Sequence, residues 1–101
     1  MPAKPNLSTA EKTALFDTIL RLKTQEDCEA LFDDLCTAKE VEQMAMRLAA
    51  ARLLMQGETY TEVISRVKIS SATLSRVSRC VQYGTGYNRF AFPFSEEEKH
   101  E

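Results

Sequence analysis

The sequence predicts an all-α fold, and three observations support this prediction. The 101 residues include only three Gly and three Pro, which is few for a β-fold rich in turns. Apolar residues recur every three or four positions along most of the chain, as they do on the buried face of an amphipathic helix. A Ser or Thr followed three residues later by Glu, the capping-box pattern of a helix N-terminus, occurs at Ser8, Thr37 and Thr59. The length suits a single domain that spans residues 1–101.

Three helices are predicted before residue 57, after a flexible, proline-containing arm at residues 1–7. Their expected bounds are Ser8 to about Lys23, Thr24 to about Cys36, and roughly residues 38–56. Gly57 is expected to stop the third helix, because glycine readily adopts the left-handed conformation that commonly ends helices.

The third predicted helix is apolar almost all round. Its stripe at helical spacing consists of Val41, Met44, Ala45, Leu48, Ala49, Arg52 and Met55, widened by Leu53 and Leu54. The short helices of one chain offer too little surface to cover such a helix. Burial inside a monomer and burial between two copies are both open. The pattern favours a homodimer with residues 8–56 as dimerisation helices.

Residues 57–81 are predicted to form a helix-turn-helix. Thr59 caps a short first helix, and Ser70 or Ser71 caps a second helix at about residues 71–80. The residues expected to face inward are Val63, Ile64, Val67, Ala72, Leu74, Val77 and Val81. The residues expected to face solvent are Ser71, Ser75, Ser78 and Arg79, with Thr73 and Arg76 at the margins.

Positive charge gathers on this predicted helix-turn-helix, although the whole chain has a formal net charge of -2. Residues 58–90 hold five basic and two acidic side chains, which gives +3. Residues 1–35 hold four basic and seven acidic side chains, which gives -3. Because contact with phosphates needs local positive charge, the pattern predicts a regulator that binds double-stranded DNA. Lys68, Arg76 and Arg79 are expected to contact phosphates, and the Ser and Thr hydroxyls to contact base edges.

A protein-interaction module on the same fold, without specific DNA binding, is the alternative. The net acidity of the chain and its aromatic C-terminal tail favour this second interpretation. Residues 82–101 are predicted to form that tail, which is too rich in Gly and aromatic residues for a helix. Its aromatic residues are expected to pack on a neighbouring or partner chain, and its acidic end to be disordered. These aromatic residues are Tyr83, Tyr87, Phe90, Phe92 and Phe94.

The sequence lacks recognisable patterns of a catalytic or metal site. The three cysteines, Cys28, Cys36 and Cys80, have no C-x-x-C spacing and are expected to be buried, reduced thiols. The single histidine, His100, lies in the acidic tail. No G-x-S-x-G motif or phosphate loop occurs, so an enzyme is not expected. No run is long and apolar enough for a membrane span or a signal peptide, which predicts a cytoplasmic protein.

The segment from Leu35 to Cys80 resembles the Trp repressor family, and in particular its YerC/YecD-type branch of small proteins. The resemblance is carried by several short motifs in combination. They are Thr37-x-x-Glu40, Arg47, the L-L-x-x-G-E run from Leu53 to Glu58, Ala72-Thr73-Leu74-Ser75-Arg76, and the Y-G-T-G-Y segment.

This resemblance implies an intertwined homodimer whose two recognition helices lie about one turn of DNA apart, ~34 Å. Such a dimer would act as a transcriptional repressor. The DNA contacts that it implies fall on Ser71, Ala72, Thr73, Ser75 and Arg76. At the family's basic contact position in the first helix of the motif, this chain has Thr61.

The resemblance also implies a corepressor site. The family's founding member binds tryptophan, and the matching positions here are Thr37, Arg47 and Arg76. Two neighbours differ: Val77 replaces a Gly beside the indole, and Cys80 replaces a Ser that meets the amino group. Val adds a branched side chain where a flat ring needs clearance, and Cys is a poor hydrogen-bond partner. Tryptophan, another small-molecule corepressor, or no effector therefore all remain open.

Overall fold

The computed structural model describes residues 7–91, and its secondary structure over this range is entirely helical, which confirms the all-α prediction. The six described helices are α1 (Leu7–Ile19), α2 (Gln25–Leu35), α3 (Ala38–Met55), α4 (Tyr60–Arg66), α5 (Ser71–Tyr83) and α6 (Gly86–Phe90). They fall into two compact units, which divide between Ala38 and Lys39. No helix within residues 7–91 is long and apolar enough to cross a membrane.

In the first unit, α1 is shorter than the sequence predicted. It ends at Ile19 rather than near Lys23, because the amides of Arg21 and Leu22 donate to carbonyls three residues back, at 3.1 and 3.0 Å. Such tight turns commonly close a helix. The helix also begins at Leu7, so Ser8 lies inside it and does not cap it as predicted; a difference of two residues is within the usual uncertainty of helix ends.

Helix α2 begins and ends where the sequence predicted. Thr24 caps it through a capping box: the Asp27 amide donates to Thr24 Oγ1 at 3.0 Å, and the Thr24 amide donates to Asp27 Oδ2 at 3.3 Å. The Lys23 amide donates to the same carboxylate at 2.9 Å. This backbone hydrogen bond is the main reason why the pKa of Asp27 is lowered, because it stabilises the charged form. Cys36 ends the helix as its C-cap.

Gly57 ends α3 as predicted, in the left-handed conformation with φ of 98°. Its amide donates to the Leu54 carbonyl at 3.0 Å, and the Glu58 amide donates to the Leu53 carbonyl at 3.1 Å. This pair of hydrogen bonds is a Schellman motif, which satisfies carbonyls at the helix end that would otherwise lack partners. The chain therefore turns sharply into α4.

The core of the second unit lies between α3, α4 and α5. It consists of Ala50 and Ala51 from α3, Val63 from α4, Val67 just after it, and Leu74 and Val77 from α5. Partly buried apolar residues surround this core: Met46, Ala49, Leu53, Leu54, Ile69, Val81 and Tyr87. The helix-turn-helix thus packs against the C-terminal half of α3.

The predicted apolar stripe of α3 is not the side that the chain itself buries. Val41 and Leu48 are 36% and 40% exposed, whereas Ala50 and Ala51 are fully buried. Residues 48–51 are apolar without interruption, so helical periodicity alone fits more than one buried side. The buried side of α3 is the one that carries the two alanines, because their small side chains belong to the core shared with α4 and α5.

Three burial predictions for the helix-turn-helix were also wrong. Ile64 and Ala72 were expected inside, but both are exposed, and Ile64 retains 44% of its accessible area. Ser78 was expected to face solvent, but it is only 6% exposed and accepts a hydrogen bond from Gln82 Nε2 at 3.4 Å. The buried side of α5 is therefore displaced around the helix relative to the prediction.

The segment that was expected to be irregular is helical. Helix α5 continues to Tyr83, and α6 follows at Gly86–Phe90. A Cβ at Gly84 would approach the Cys80 carbonyl oxygen at 2.8 Å, so only glycine fits this junction without a shift. Asn88 Nδ2 then donates to the carbonyls of Val81 and Gly84, at 2.7 and 3.1 Å. This side chain binds the end of α5 to α6.

The aromatic residues of this segment differ in their surroundings. Tyr87 packs against the core, and Ala91 just after α6 is 7% exposed. Tyr83 and Phe90 are 82% and 80% exposed within this chain. Residues 1–6 and 92–101 lie outside the described range. The predictions for Phe92, Phe94 and the acidic end fall on these residues. The expected packing of Tyr83 and Phe90 on a partner chain stays a prediction.

The three cysteines are free thiols, but the prediction that they are buried was wrong. Cys28 and Cys80 are exposed and Cys36 is partly exposed. Within residues 7–91, no three His, Cys, Asp or Glu side chains are grouped so that they could hold a metal ion.

We predict that Gly57→Ala lowers the free energy of unfolding by about 1 kcal/mol or more, because an L-residue is strained at this positive φ. Gly86→Ala is the matched control, since a Cβ there meets no atom within 4 Å and its helical position favours alanine. Urea unfolding of both variants measures the difference. Equal loss of stability in the two would contradict this account of the α3 end.

Candidate nucleic-acid interface

The first helix of the helix-turn-helix has the predicted capping box. The Glu62 amide donates to Thr59 Oγ1 at 3.2 Å, and the Thr59 amide donates to Glu62 Oε1 at 2.7 Å. Both partners are within three residues of each other, so local sequence alone defines where α4 begins. Thr61 lies in the first turn of this helix and is exposed.

Ser70 caps α5, the candidate recognition helix. Ser70 Oγ accepts from the Thr73 amide at 3.1 Å and donates to Thr73 Oγ1 at 3.0 Å. The Ser70 carbonyl accepts from the Leu74 amide at 2.9 Å, the first α-helical hydrogen bond of the helix. Thr73 is thereby engaged in the cap and is only partly exposed. Of the two cap residues that the sequence left open, the structure selects Ser70.

The outer side of α5 is polar and open. Leu74, Val77 and Ser78 face the core, so a helix of 3.6 residues per turn must turn the intervening positions outward. The residues predicted to contact DNA are exposed except for Thr73. The exposed ones are Thr61, Lys68, Ser71, Ala72, Ser75, Arg76 and Arg79.

The cations on this surface differ in whether they have acidic partners. Arg66 is paired with Glu58, with 2.8 Å between Nη1 and Oε2. Arg89 lies with its guanidinium carbon 5.2 Å from the centroid of the Phe90 ring. Among the described residues, no acidic side chain forms an ion pair with Lys68, Arg76 or Arg79. These three charges are therefore available to an external anion.

A cavity of about 390 Å³ lies between α3 and the turn that leads into α5. It is lined by Lys39, Glu42, Gln43, Met46, Arg47, Lys68, Ile69, Ser70 and Thr73. Three of these residues are basic and one is acidic, so the lining carries an excess of positive charge. Its size is in the range of small-molecule sites.

Only one residue of the predicted effector set lines this cavity, namely Arg47. Val77 is 2% exposed and belongs to the hydrophobic core, so its side chain is not available to a ligand. Arg76 and Cys80 are exposed on α5 outside the cavity lining. Thr37 belongs to the other compact unit.

Sequence reasoning missed the support that α6 gives to the recognition helix. Asn88 binds two carbonyls at the end of α5, and Tyr87 packs against the core. A usable signal was present, because Tyr87 and Ala91 are four residues apart and Thr85 precedes them as a potential N-cap. Two nearby glycines obscured it.

Comparison with known proteins gives consistent results. The family model described as Trp repressor protein matches residues 10–92. The chain is 42% identical over 91 residues to the uncharacterized protein YerC of Bacillus subtilis (strain 168), which covers 90% of this chain and 88% of that protein.

Two solved structures have the same fold. The crystal structure of a proposed Trp repressor from Staphylococcus aureus is 36% identical, with a TM-score of 0.75 over 85% of this chain and 91% of that one. The crystal structure of a TrpR-like protein from Eubacterium eligens ATCC 27750 is also 36% identical, with a TM-score of 0.77 over 82% of this chain and 87% of that one.

We predict that Ser70→Ala lowers the free energy of unfolding by about 1 kcal/mol, because the Thr73 amide loses its cap. Ser71→Ala, at the first position of α5, is the matched control, since Ser71 is exposed and its side chain does not cap the helix. Chemical unfolding monitored by circular dichroism compares the two. If Ser71→Ala were as destabilising as Ser70→Ala, the cap assignment would be wrong.

Proposed function

The chain belongs to the Trp repressor family, and we propose that it is a cytoplasmic, sequence-specific DNA-binding regulator that represses transcription as a homodimer. The family is regulatory rather than enzymatic. In the proposal α5 is the recognition helix, and residues 71–80 enter the major groove. The observation that carries it is the outer side of α5, where hydroxyls lie beside arginines that have no acidic partner among the described residues.

Two kinds of contact are assigned to this surface. Lys68, Arg76 and Arg79 bind phosphates, which supplies affinity but little sequence information. Ser71 and Ser75 are short enough to let the helix approach the bases and to form hydrogen bonds with their edges. Ala72 and Thr73 are also proposed to contact the DNA from α5, and Thr61 is the proposed contact from α4. A neutral Thr61 makes the phosphate footprint weaker than that of a family member with a basic residue there.

The homodimer is supported by apolar residues that this chain leaves exposed. In the first unit they are Leu15, Phe16, Leu20 and Leu35, and on α3 they are Val41 and Leu48. Single exposed apolar residues are common, but several large ones on successive helices are typical of an interface. Pairing of two copies would cover them and place two recognition helices ~34 Å apart.

A protein-interaction module on the same fold is the competing function. The observations that favour it are the formal net charge of -2, the neutral Thr61 at the family's basic contact position, and the exposed rings of Tyr83 and Phe90. Such a module would bind duplex DNA weakly and without preference for sequence.

Selection of bound duplexes from a random-sequence DNA pool, at two salt concentrations, separates the two functions. The regulator is expected to enrich a palindromic motif, because a symmetric dimer reads two half-sites about one helical turn apart. Weak binding without enrichment at either salt concentration would support the interaction module instead. Sedimentation of the free protein measures the dimer independently.

With the enriched motif in hand, we predict that Arg76→Ala and Arg79→Ala each weaken binding several-fold. Each should also reduce the slope of log K against log salt by about 0.9, because one phosphate contact is lost. Arg21→Ala in the first unit is the control, since Arg21 is exposed but outside the helix-turn-helix. Wild-type affinity in both α5 variants would exclude α5 as the recognition helix.

We further propose that the cavity beside α5 binds a small anionic effector through Arg47. The positive excess of its lining favours an anion, and the buried position of Val77 provides no space for an indole at the place that the resemblance implied. Thr37, Arg76 and Cys80 do not line this cavity and are not part of the proposed site. The regulatory consequence would follow from the position of two lining residues: Ser70, which caps α5, and Thr73, whose amide donates to that cap.

Thermal unfolding with inorganic phosphate and with tryptophan tests this effector proposal. Phosphate at millimolar concentration is expected to raise the Tm of the wild type and of Arg79→Ala, but not that of Arg47→Ala, because ligand binding stabilises the folded state. A shift that Arg79→Ala abolishes and Arg47→Ala retains would place the anion on the DNA-binding surface. A larger shift with tryptophan than with phosphate would favour the family's own corepressor.

A further inference from the structure

Helix α5 is longer than a recognition helix of residues 71–80, and its extra turn ends with an exposed tyrosine. The helix continues to Tyr83, whose side chain is 82% exposed. Its ring is not part of the apolar core and does not pack against it, in contrast to the ring of Tyr87 in the next helix. Within the described residues the Tyr83 hydroxyl forms no hydrogen bond. Within residues 7–91, neither packing nor hydrogen bonding therefore gives this side chain a structural role.

Tyr83 lies on the same side of α5 as the residues proposed to meet DNA. Ala72, Arg76, Arg79 and Tyr83 follow one another at spacings of four, three and four residues, so they share one side of the helix. The opposite side carries Leu74, Val77 and Ser78, which are buried. Tyr83 is one turn beyond Arg79, about 6 Å along the helix axis.

The end of α5 is held in place, so Tyr83 is presented from a defined position. Asn88 Nδ2 donates to the Val81 carbonyl at 2.7 Å and to the Gly84 carbonyl at 3.1 Å. The Gly84 amide donates to the Cys80 carbonyl at 2.8 Å and so closes the last turn of the helix. The polar bonds of α6 thus stabilise the turn that carries Tyr83.

We infer that Tyr83 is a further DNA-contact residue, whose hydroxyl donates a hydrogen bond to a backbone phosphate beyond the one that Arg79 binds. The inference rests on the proposed DNA-binding function. From Ala72 to Tyr83 the helix rises about 16 Å, which exceeds the ~12 Å width of the major groove. When the N-terminal part of α5 lies at the bases, its last turn reaches the backbone at the groove edge. Tyrosine hydroxyls are among the donors that proteins use for phosphate oxygens.

A phosphate contact by a neutral side chain has a distinctive signature. Tyr83→Phe removes only the hydroxyl from an exposed position, so the fold is retained. Affinity is expected to fall about three- to tenfold, as for the loss of one hydrogen bond. The slope of log K against log salt should be unchanged, because an uncharged contact releases no counterion. The loss should be similar on the selected operator and on random duplex, because phosphates carry no sequence information.

The experiment measures DNA affinity across a salt series for wild type, Tyr83→Phe, Tyr83→Ala and Arg79→Ala. Tyr87→Phe is the matched control, since the Tyr87 ring packs against the core. Arg79→Ala should lower the salt slope by about 0.9, in contrast to either Tyr83 variant. Sedimentation of Tyr83→Ala tests whether the ring belongs to an interface between copies.

Each outcome bears on the inference. An equal loss on both duplexes in Tyr83→Phe, with the slope of wild type, supports it. Wild-type affinity in Tyr83→Phe overturns it, whatever Tyr83→Ala does, while the proposed regulator function stands if the wild type still selects a motif. A wild type without any salt-dependent binding overturns both. A monomeric Tyr83→Ala overturns the DNA contact in favour of contact between two copies.

Discussion

The packing of α4 and α5 against two alanines of α3 is the constraint on which the candidate interface depends. Ala50 and Ala51 are fully buried and, having only a methyl group, leave space in the shared core for Val63, Leu74 and Val77. Burial of each such Val or Leu side chain contributes about 1.5–3 kcal/mol. Once Leu74 and Val77 face inward, the helical repeat places Arg76 and Arg79 on the outer side. The same burial that stabilises the unit therefore orients its charged surface.

Polar groups at the helix ends then determine where each element starts and stops. Gly57 reverses the chain after α3, and Thr59 and Ser70 cap the two helices that follow. Asn88 performs the corresponding role at the other end of α5 by binding two of its carbonyls. Side-chain hydrogen bonds from Ser70 and Asn88 thus help to fix the two ends of α5. They thereby determine how far its outer side extends.

Electrostatics explains how a chain of net negative charge can present a local surface of positive charge. Screening by salt limits long-range repulsion to about 10 Å or less, so the local arrangement matters more than the sum of charges. Arg66 is paired with Glu58, whereas Lys68 and the arginines of α5 have no such acidic partner among the described residues. Lys68, Arg76 and Arg79 therefore place unpaired positive charge on the turn before α5 and on α5 itself.

Local chemistry in the sequence was sufficient for the all-α class, the caps at Thr24 and Thr59, and the stop at Gly57, because each depends on residues within a few positions. It also predicted the exposure of Arg79 and Ser75. What only the tertiary structure decided was which side of each helix is buried. The apolar run of residues 48–51 fits more than one buried side, and the core that α3 shares with Val63 and Leu74 includes Ala50 and Ala51. The same packing buries Ser78 and leaves Ala72 exposed. Helix α6 forms where two glycines indicated an irregular chain, because Tyr87 packs against the core and Asn88 bonds to the end of α5. Neither contact can be read from the local sequence pattern.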